Sequence, residues 1–440
     1  MSSHGLIPAR LRDGSALLRS RDFRNVFLAQ SVSVFGDGIT PVALTFAVLG
    51  LTGSGTDLGL VLAAQSVPLV LLALVGGVWA DRLPRARLMV ASDLIRAAVQ
   101  LTGAALLLTG AAQVWQLALL AAVHGAAEAF FRPAAGALLP QIVPAPRLQQ
   151  ANALMGMSDN FGWMVGPAVA GVLVGLIGSG GAIAVDGVTF LVSASFLASL
   201  RVPAVLKSEA AHGFFAELRK GWYEVRSRTW LWTMLLRVCL VLFIVIAPFQ
   251  VLGPLGLLEE GYGAIAWGWL QAVFSAGMIV GMAVAMRYRP KRPMITVTLT
   301  GSTAAAAPLA WAIFGDPWVL GAVYGLRGIS VGILVAVWNT TLQTQIPEES
   351  LGRVTAWDWM SSLALWPVGL ALAGPLAQAF GVTTMCWVTG ILGVAAAYWV
   401  LLVKDVWRLR PAAVLSGTIG TAPMTGGQTP ATPPGVPPLD

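Results

Sequence analysis

Twelve mostly apolar stretches, set apart by short polar turns, fill this chain from about residue 23 to residue 403. They run over about 23–50, 57–80, 88–111, 114–134, 152–177, 182–200, 229–251, 263–287, 294–314, 318–340, 354–379 and 383–403. Each approaches or exceeds the roughly 20 residues that a helix needs to cross a bilayer. Period-two alternation is absent, so the pattern predicts helices and not barrel strands. Gly and Pro recur within the stretches, as membrane helices tolerate. The expected fold is an all-α membrane protein of twelve transmembrane helices.

Charge placement orients them. Only 11% of the 440 residues are charged, and mean hydropathy is +0.76. Soluble domains carry about 25% charged residues. Of 27 Lys and Arg, only Arg96, Arg132, Arg237 and Arg327 lie inside stretches away from their ends. The other 23 fall in the tails and in the turns after stretches 2, 4, 6, 8 and 10. The remaining turns hold acids instead: Asp57, Glu259, Glu260 and Asp316. Because basic turns stay on the cytoplasmic side, both termini are expected there. The first 22 residues lack the apolar core of a signal peptide. The net charge of +7 thus follows topology, and no nucleic-acid-binding stripe is present.

The chain divides into an N-terminal segment (1–22), a six-helix bundle (23–200), a linker (201–228), a second bundle (229–404) and a tail (405–440). The linker sequence around Phe214, Phe215, Trp222 and Tyr223 predicts an amphipathic helix on the inner leaflet. The tail has seven prolines in its last 30 residues and is expected to be disordered. The bundles echo each other at an offset of 203: Pro144 and Leu148 recur as Pro347 and Leu351, Gly166 as Gly369, Gly171 as Gly374. That predicts two pseudo-symmetric halves.

The turn after stretch 2 packs Asp81, Arg82, Arg85 and Arg87 into seven residues behind Gly76 and Gly77. Gly77-x-x-x-Asp81-Arg82-x-x-Arg85 resembles the signature loop between helices 2 and 3 of the major facilitator superfamily, with Pro84 and Ala86 as departures. Helix 5 carries Gly162-Trp-Met-Val-Gly166-Pro167-Ala-Val-Ala-Gly171, similar to the glycine-proline motif of that family's proton-coupled exporters. As packing alone, Gly-x-x-x-Gly is common between membrane helices. The segments from Arg132 to Asn152 and from Gln343 to Val354, with Arg21-x-Phe23-Arg24 and Thr52-Gly53-Ser54, resemble the bacterial branch that includes macrolide efflux proteins and the enterobactin exporter. His124 stands where drug exporters of the family usually place an arginine.

Ionisable groups deep in a bilayer are costly and mark candidate sites. Asp37 lies about 20 Å along helix 1. Glu128 and Arg132 are four apart on helix 4 and face the same way. Asp37 and Glu128 are candidate proton carriers; each could instead be a fixed partner of an arginine. His124 and Asp159 are further candidates, and His124 could equally be a hydrogen-bonded packing residue. Asp93 with Arg96 reads as a structural pair, and Asp186 as structural. In the family resembled, helices 1, 4, 7 and 10 line the central cavity, which makes Arg132, Arg237 and Arg327 cavity charges. Of 17 tryptophans only three precede residue 201. Trp359 and Trp366, seven apart, would share a helix face, and with Trp338 they are candidates for stacking on substrate, with packing as the plainer role.

The expected activity is proton-coupled export of amphipathic small molecules by alternating access, with partners limited to substrate, protons and lipid. Asp81, Arg82 and Arg85 would latch the cytoplasmic side. The alternatives are import of a lysolipid or small solute, and a non-transporting sensor or scaffold. No nucleotide-binding loop, metal-ligand cluster or hydrolase motif occurs, so no cofactor, ATP drive or enzyme activity is expected. Cys239 and Cys386 sit in apolar stretches and suggest no disulfide.

Overall fold

The computed structural model describes residues 17–201 and 214–410, apart from the side chains of 74–82, 214–218 and 348. The N-terminal segment before residue 17, most of the linker ahead of its helix, the tail from 411 and the side chains of Gly77, Asp81 and Arg82 lie outside the described residues. The first bundle consists of α1 (Arg21–Thr52), α2 (Gly55–Arg82), α3 (Arg85–Leu108), α4 (Val114–Ile142) and α5 (Leu148–Ala198). The linker contains α6 (Phe214–Arg226). The second bundle holds α7 (Thr229–Glu259), α8 (Ala264–Ala285), α9 (Pro293–Phe314), α10 (Pro317–Gln345), α11 in two pieces (Glu348–Leu363 and Trp366–Phe380) and α12 (Val382–Leu402); a short α13 (Lys404–Arg408) follows.

Among the described residues eleven runs are long and apolar enough to cross a membrane, and the 54-residue run containing α5 is long enough to cross twice. Gly178, with φ 75° and ψ 168°, breaks α5 into two arms where the sequence predicts a loop. The count is therefore twelve. Two further corrections concern length. Helix 4 continues past residue 134 to Ile142 through Pro133 and Pro140, and helix 10 continues to Gln345. A proline removes one hydrogen bond, and neighbouring helices tolerate that loss inside a membrane bundle.

The two faces of the molecule turn the chain differently. All six positive-φ glycines, Gly53, Gly110, Gly178, Gly261, Gly315 and Gly381, lie at the turns of one face. A glycine in this conformation reverses the chain in few residues. The opposite face carries the start of α1 and the arginine-bearing turns; we call it the arginine face.

The glycine-turn end is closed and the arginine end is split. At the closed end one hydrophobic cluster runs through both bundles, joining Ile39, Val48 and Leu58 to Leu252, Trp267 and Leu370. At the arginine end there are two separate clusters, one around Phe23, Met89 and Leu138 and the other around Leu231, Met294 and Val354. Glycines hold the closed end. A Cβ on Gly171 of α5 would lie 2.9 Å from the Ala264 carbonyl and 3.1 Å from Gly268 Cα on α8. Gly374 of α11 abuts Gly55 and Thr56 of α2, where Thr56 Oγ1 donates to Gln378 Oε1 at 3.1 Å. The repeat at offset 203 is thus an architectural one. Gly171 and Gly374 make equivalent bundle-to-bundle contacts, while Gly166 packs on Gly38 of α1 and Gly369 on Phe243 and Ala247 of α7.

On the arginine face α6 lies against the start of α11, with Val225 buried and Trp222 against Trp357 at 4.9 Å. Arg219 and Lys220 are exposed, and the Arg228 side chain bonded to Glu224 at 2.6 Å holds that carboxyl below the usual carboxylate range.

A branched side chain at the clasp should part the bundles. Gly171→Val or Gly374→Val is expected to raise the population open at the glycine-turn face about tenfold, the effect of about 1.4 kcal/mol. Labelling of a cysteine placed at Gln378 by a membrane-impermeant maleimide measures it; equal rates in parent and variant would refute the clasp.

Candidate functional site

Between the separated ends lies a cavity of about 440 Å³ lined chiefly by the first bundle. Val26, Gln30 and Asp37 come from α1, Arg96 from α3, Glu128 and Arg132 from α4, Asn152 and Asp159 from α5, and Trp359 from α11. The glycines around Asp37 explain its position. Gly36 packs on Asp186 and Thr189 in the second arm of α5, and a Cβ on Gly38 would lie 2.7 Å from the Gly162 carbonyl in the first arm. With both flanks pressed into α5, Asp37 lines the cavity.

Arg96 ties the bundle together. It is 1% exposed, and its guanidinium lies 4.4 Å and 4.2 Å from the ring centres of Phe131 and Phe190. It pairs with Asp93, which also accepts from Ser193 Oγ at 2.6 Å, and it reaches Asp37 at 3.5 Å. Sequence reasoning assigned Asp93 and Arg96 to each other but missed the link from Arg96 to Asp37. The two are 59 positions apart and no spacing connects them. One turn along α4, Glu128 Oε1 accepts from Arg132 Nη2 at 2.7 Å and Nε at 2.8 Å. Arg132 in turn lies 5.9 Å from the ring of Trp359, so this contact crosses between the bundles.

The remaining candidates separate. Asp159 is exposed on the cavity wall. His124 is buried against the Phe190 ring at 5.7 Å, its Nδ1 without a hydrogen bond, and lines a minor cavity of about 20 Å³. Asp186 is fully buried, accepting from Thr40 Oγ1 and Gln100 Nε2 at 2.5 Å each. Arg237 does not face the cavity. Its Nε donates to the Ala397 carbonyl at 3.0 Å and its Nη2 to the Thr298 carbonyl at 3.0 Å, so backbone of α12 and α9 satisfies it. The sequence identified its helix but not its direction around that helix. Arg327 lines a separate cavity within the second bundle.

The tryptophans require a similar correction. α11 is interrupted at Ala364 and Leu365 ahead of Pro367, so Trp359 and Trp366 do not share a continuous helix face. Trp359 stands in the cavity at 52% exposure, whereas Trp366 packs beside the large hydrophobic cluster. Trp338 donates through Nε1 to Asp358 at 3.0 Å and packs on Trp230. In the signature loop, Arg85 Nη1 donates to the Ala137 carbonyl of α4 at 2.6 Å, and Arg87 is exposed. Gly162, Gly166, Pro167 and Gly171 lie along α5, where the glycines meet first α1 and then α8.

This geometry has counterparts among known proteins. The Major Facilitator Superfamily model matches residues 26–369. The chain is 30% identical over 365 residues to the multidrug efflux pump Tap of Mycolicibacterium fortuitum, covering 79% of this chain and 87% of that protein. It is 23% identical to macrolide efflux protein A of Streptococcus pyogenes, over 88% of this chain and 97% of that one. Among solved structures, a bacterial homolog of the human lysosomal transporter Spinster, inward-facing and occupied, aligns with TM-score 0.71 at 16% identity, covering 90% of this chain and 99% of that one.

The two ion pairs should differ in what their loss costs. Arg96→Leu strands two buried carboxylates and should destabilise by about 3–5 kcal/mol. Arg132, 46% exposed, can be hydrated once its partner is gone, so Glu128→Gln should cost about 1 kcal/mol or less. Thermal unfolding of the purified protein in detergent checks the order, and a larger loss for Glu128→Gln would contradict this account.

Proposed function

The chain belongs to the Major Facilitator Superfamily of membrane transporters, and we propose that it is a proton-coupled exporter of amphipathic small molecules. It sits in the bacterial plasma membrane with its arginine face in the cytoplasm, as the distribution of basic turns favours. The cavity then opens inward, where a drug-like solute in the cytoplasm or inner leaflet can enter it. The similarity to Tap and to macrolide efflux protein A supports outward transport of such compounds.

The observation that carries the proton role is the unequal pairing of the two cavity carboxylates. Glu128 is held by two contacts of 2.7–2.8 Å to Arg132. Asp37 has one long contact of 3.5 Å to an arginine already engaged with Asp93, and its side chain keeps 15% of its surface open. A proton can therefore reach Asp37 and leave it without first breaking a short ion pair. In the cycle, an amphipathic substrate enters the inward cavity beside Trp359 and Asp37 gives up its proton to the cytoplasm. The bundles then rock about the glycine contacts, opening the outer end and closing the inner one. Substrate leaves, and a proton from outside neutralises Asp37. Moving a neutral carboxyl back through the closed intermediate is cheaper than moving a charge. Asp81, Arg82 and Arg85 would latch the cytoplasmic end while the cavity faces outward. The proton gradient supplies the energy, with no ATP or bound cofactor.

Inverted vesicles acidified inside test this. The wild type should accumulate members of a panel of amphipathic drugs, macrolides included, and an uncoupler should abolish the accumulation. Asp37→Asn should lose the gradient-driven part while remaining folded in the membrane. Unchanged antiport in that variant removes Asp37 from the mechanism, and accumulation only under the opposite gradient makes the protein an importer.

A further inference from the structure

Charges are distributed unequally between the bundles. Away from the helix ends, the first holds the carboxylates Asp37, Asp93, Glu128, Asp159 and Asp186 against Arg96 and Arg132. In the second bundle Arg237 is satisfied by backbone carbonyls and Asp358 by Trp338. Arg327 has neither solution. It makes no ion pair among the described residues, its Nε is buried without a hydrogen-bond partner, and its guanidinium hydrogen-bonds the Tyr324 hydroxyl one turn away. Aromatic rings flank it, with Phe274 at 5.0 Å and Tyr324 at 5.5 Å from the guanidinium carbon.

This arginine lines a cavity of about 220 Å³ with Trp267, Phe249, Gln250 and Gln271. The cavity has a counterpart. At the offset of 203, Arg327 corresponds to His124, whose own cavity in the first bundle is nearly filled, at about 20 Å³. The enlarged copy is also where helix geometry departs from regularity. A π-turn at Leu242–Ile246 in α7 and a 3-10 turn at Thr303–Ala305 in α9 each place residues on its wall. π-turns inside α-helices concentrate at functional sites.

We propose that this cavity is a subsite for the acidic group of the substrate, so that the transported amphipaths include aromatic carboxylates or phenolates. A guanidinium inside the helix bundle without a counter-charge is costly, and an incoming oxyanion removes that cost while accepting strong, charge-assisted hydrogen bonds. Gln250 and Gln271 offer further amide donors, and Trp267 and Phe249 offer flat surfaces for the aromatic body. Asp37 of the first bundle carries the proton and Arg327 of the second holds the cargo.

The inference rests on the transport reading, but its test is a binding measurement that needs neither export nor a gradient. The probes are 1-naphthoate and its neutral analogue 1-naphthamide, titrated calorimetrically into the purified full-length protein in detergent. The wild type should bind the acid at least about tenfold more tightly than the amide. Arg327→Gln should erase that preference and Arg327→Lys should keep part of it, while Asp37→Asn should leave it intact. Absence of naphthoate binding, equal affinity for acid and amide in the wild type, or a preference that survives in Arg327→Gln overturns the proposal. The wild-type comparison decides even if Arg327→Gln does not fold. Loss of gradient-driven transport in Asp37→Asn with the acid preference intact separates failure of coupling from failure of this subsite.

Discussion

A charge below the surface of a bilayer must find a counter-charge, a set of dipoles or water, and this requirement arranges the protein. Arg96 meets it with Asp93 and Asp37 and with two aromatic faces, and in doing so joins α1, α3, α4 and α5. Arg132 meets it with Glu128 at the cavity wall. Arg237 meets it with two carbonyls deep in the other bundle. The bonds of Arg96 and Arg237 fix helices against one another, the Arg132 pair stays within α4, and Arg327, with the fewest partners, stands beside a cavity of its own.

The second requirement is that the halves separate at one end while remaining joined at the other. Small residues meet it because they let backbones touch without interlocking side chains. Gly171 against Gly268 and Gly374 against Gly55 bring α5 to α8 and α11 to α2 at the glycine-turn end. Such contacts leave no long side chains to disentangle when the bundles rotate. The cost of parting them is mainly the re-exposure of the apolar cluster that runs across both halves. In this structure that cluster closes the glycine-turn end, and the cavity lies between the separated ends at the arginine face.

Twelve crossings, the gathering of basic turns on one face and the two-fold repeat were legible because each has a linear signature. Apolar length, basic turns and an offset of 203 can all be read without knowing where any helix points. Azimuth was not legible. Arg237 sits on a helix expected to line the cavity but points to α9 and α12, and nothing local in its sequence distinguishes it from Arg327. Backbone breaks misled in both directions. Helix 4 runs through Pro133 and Pro140 to Ile142, past the expected end at about residue 134, whereas the interruption before Trp366 left no continuous face for Trp359 and Trp366. Gly178 was hidden among other glycines, and only its positive φ marks it as the turn.

The same repeat that makes the halves alike shows where they have diverged. The clasp glycines are preserved in equivalent roles, so the architecture has kept its symmetry. The buried polar positions have lost it: His124 in a filled space faces its counterpart Arg327 in an open one, and the acids have gathered in one half. A symmetric transporter would bind proton and cargo with the same residues in each bundle, and each would compete with the other for a single charge. Under the proposed roles of Asp37 and Arg327, proton and cargo would act on one rocking motion from different bundles. Their coupling would then depend on the relative position of the bundles, with no direct contact between Asp37 and Arg327 required.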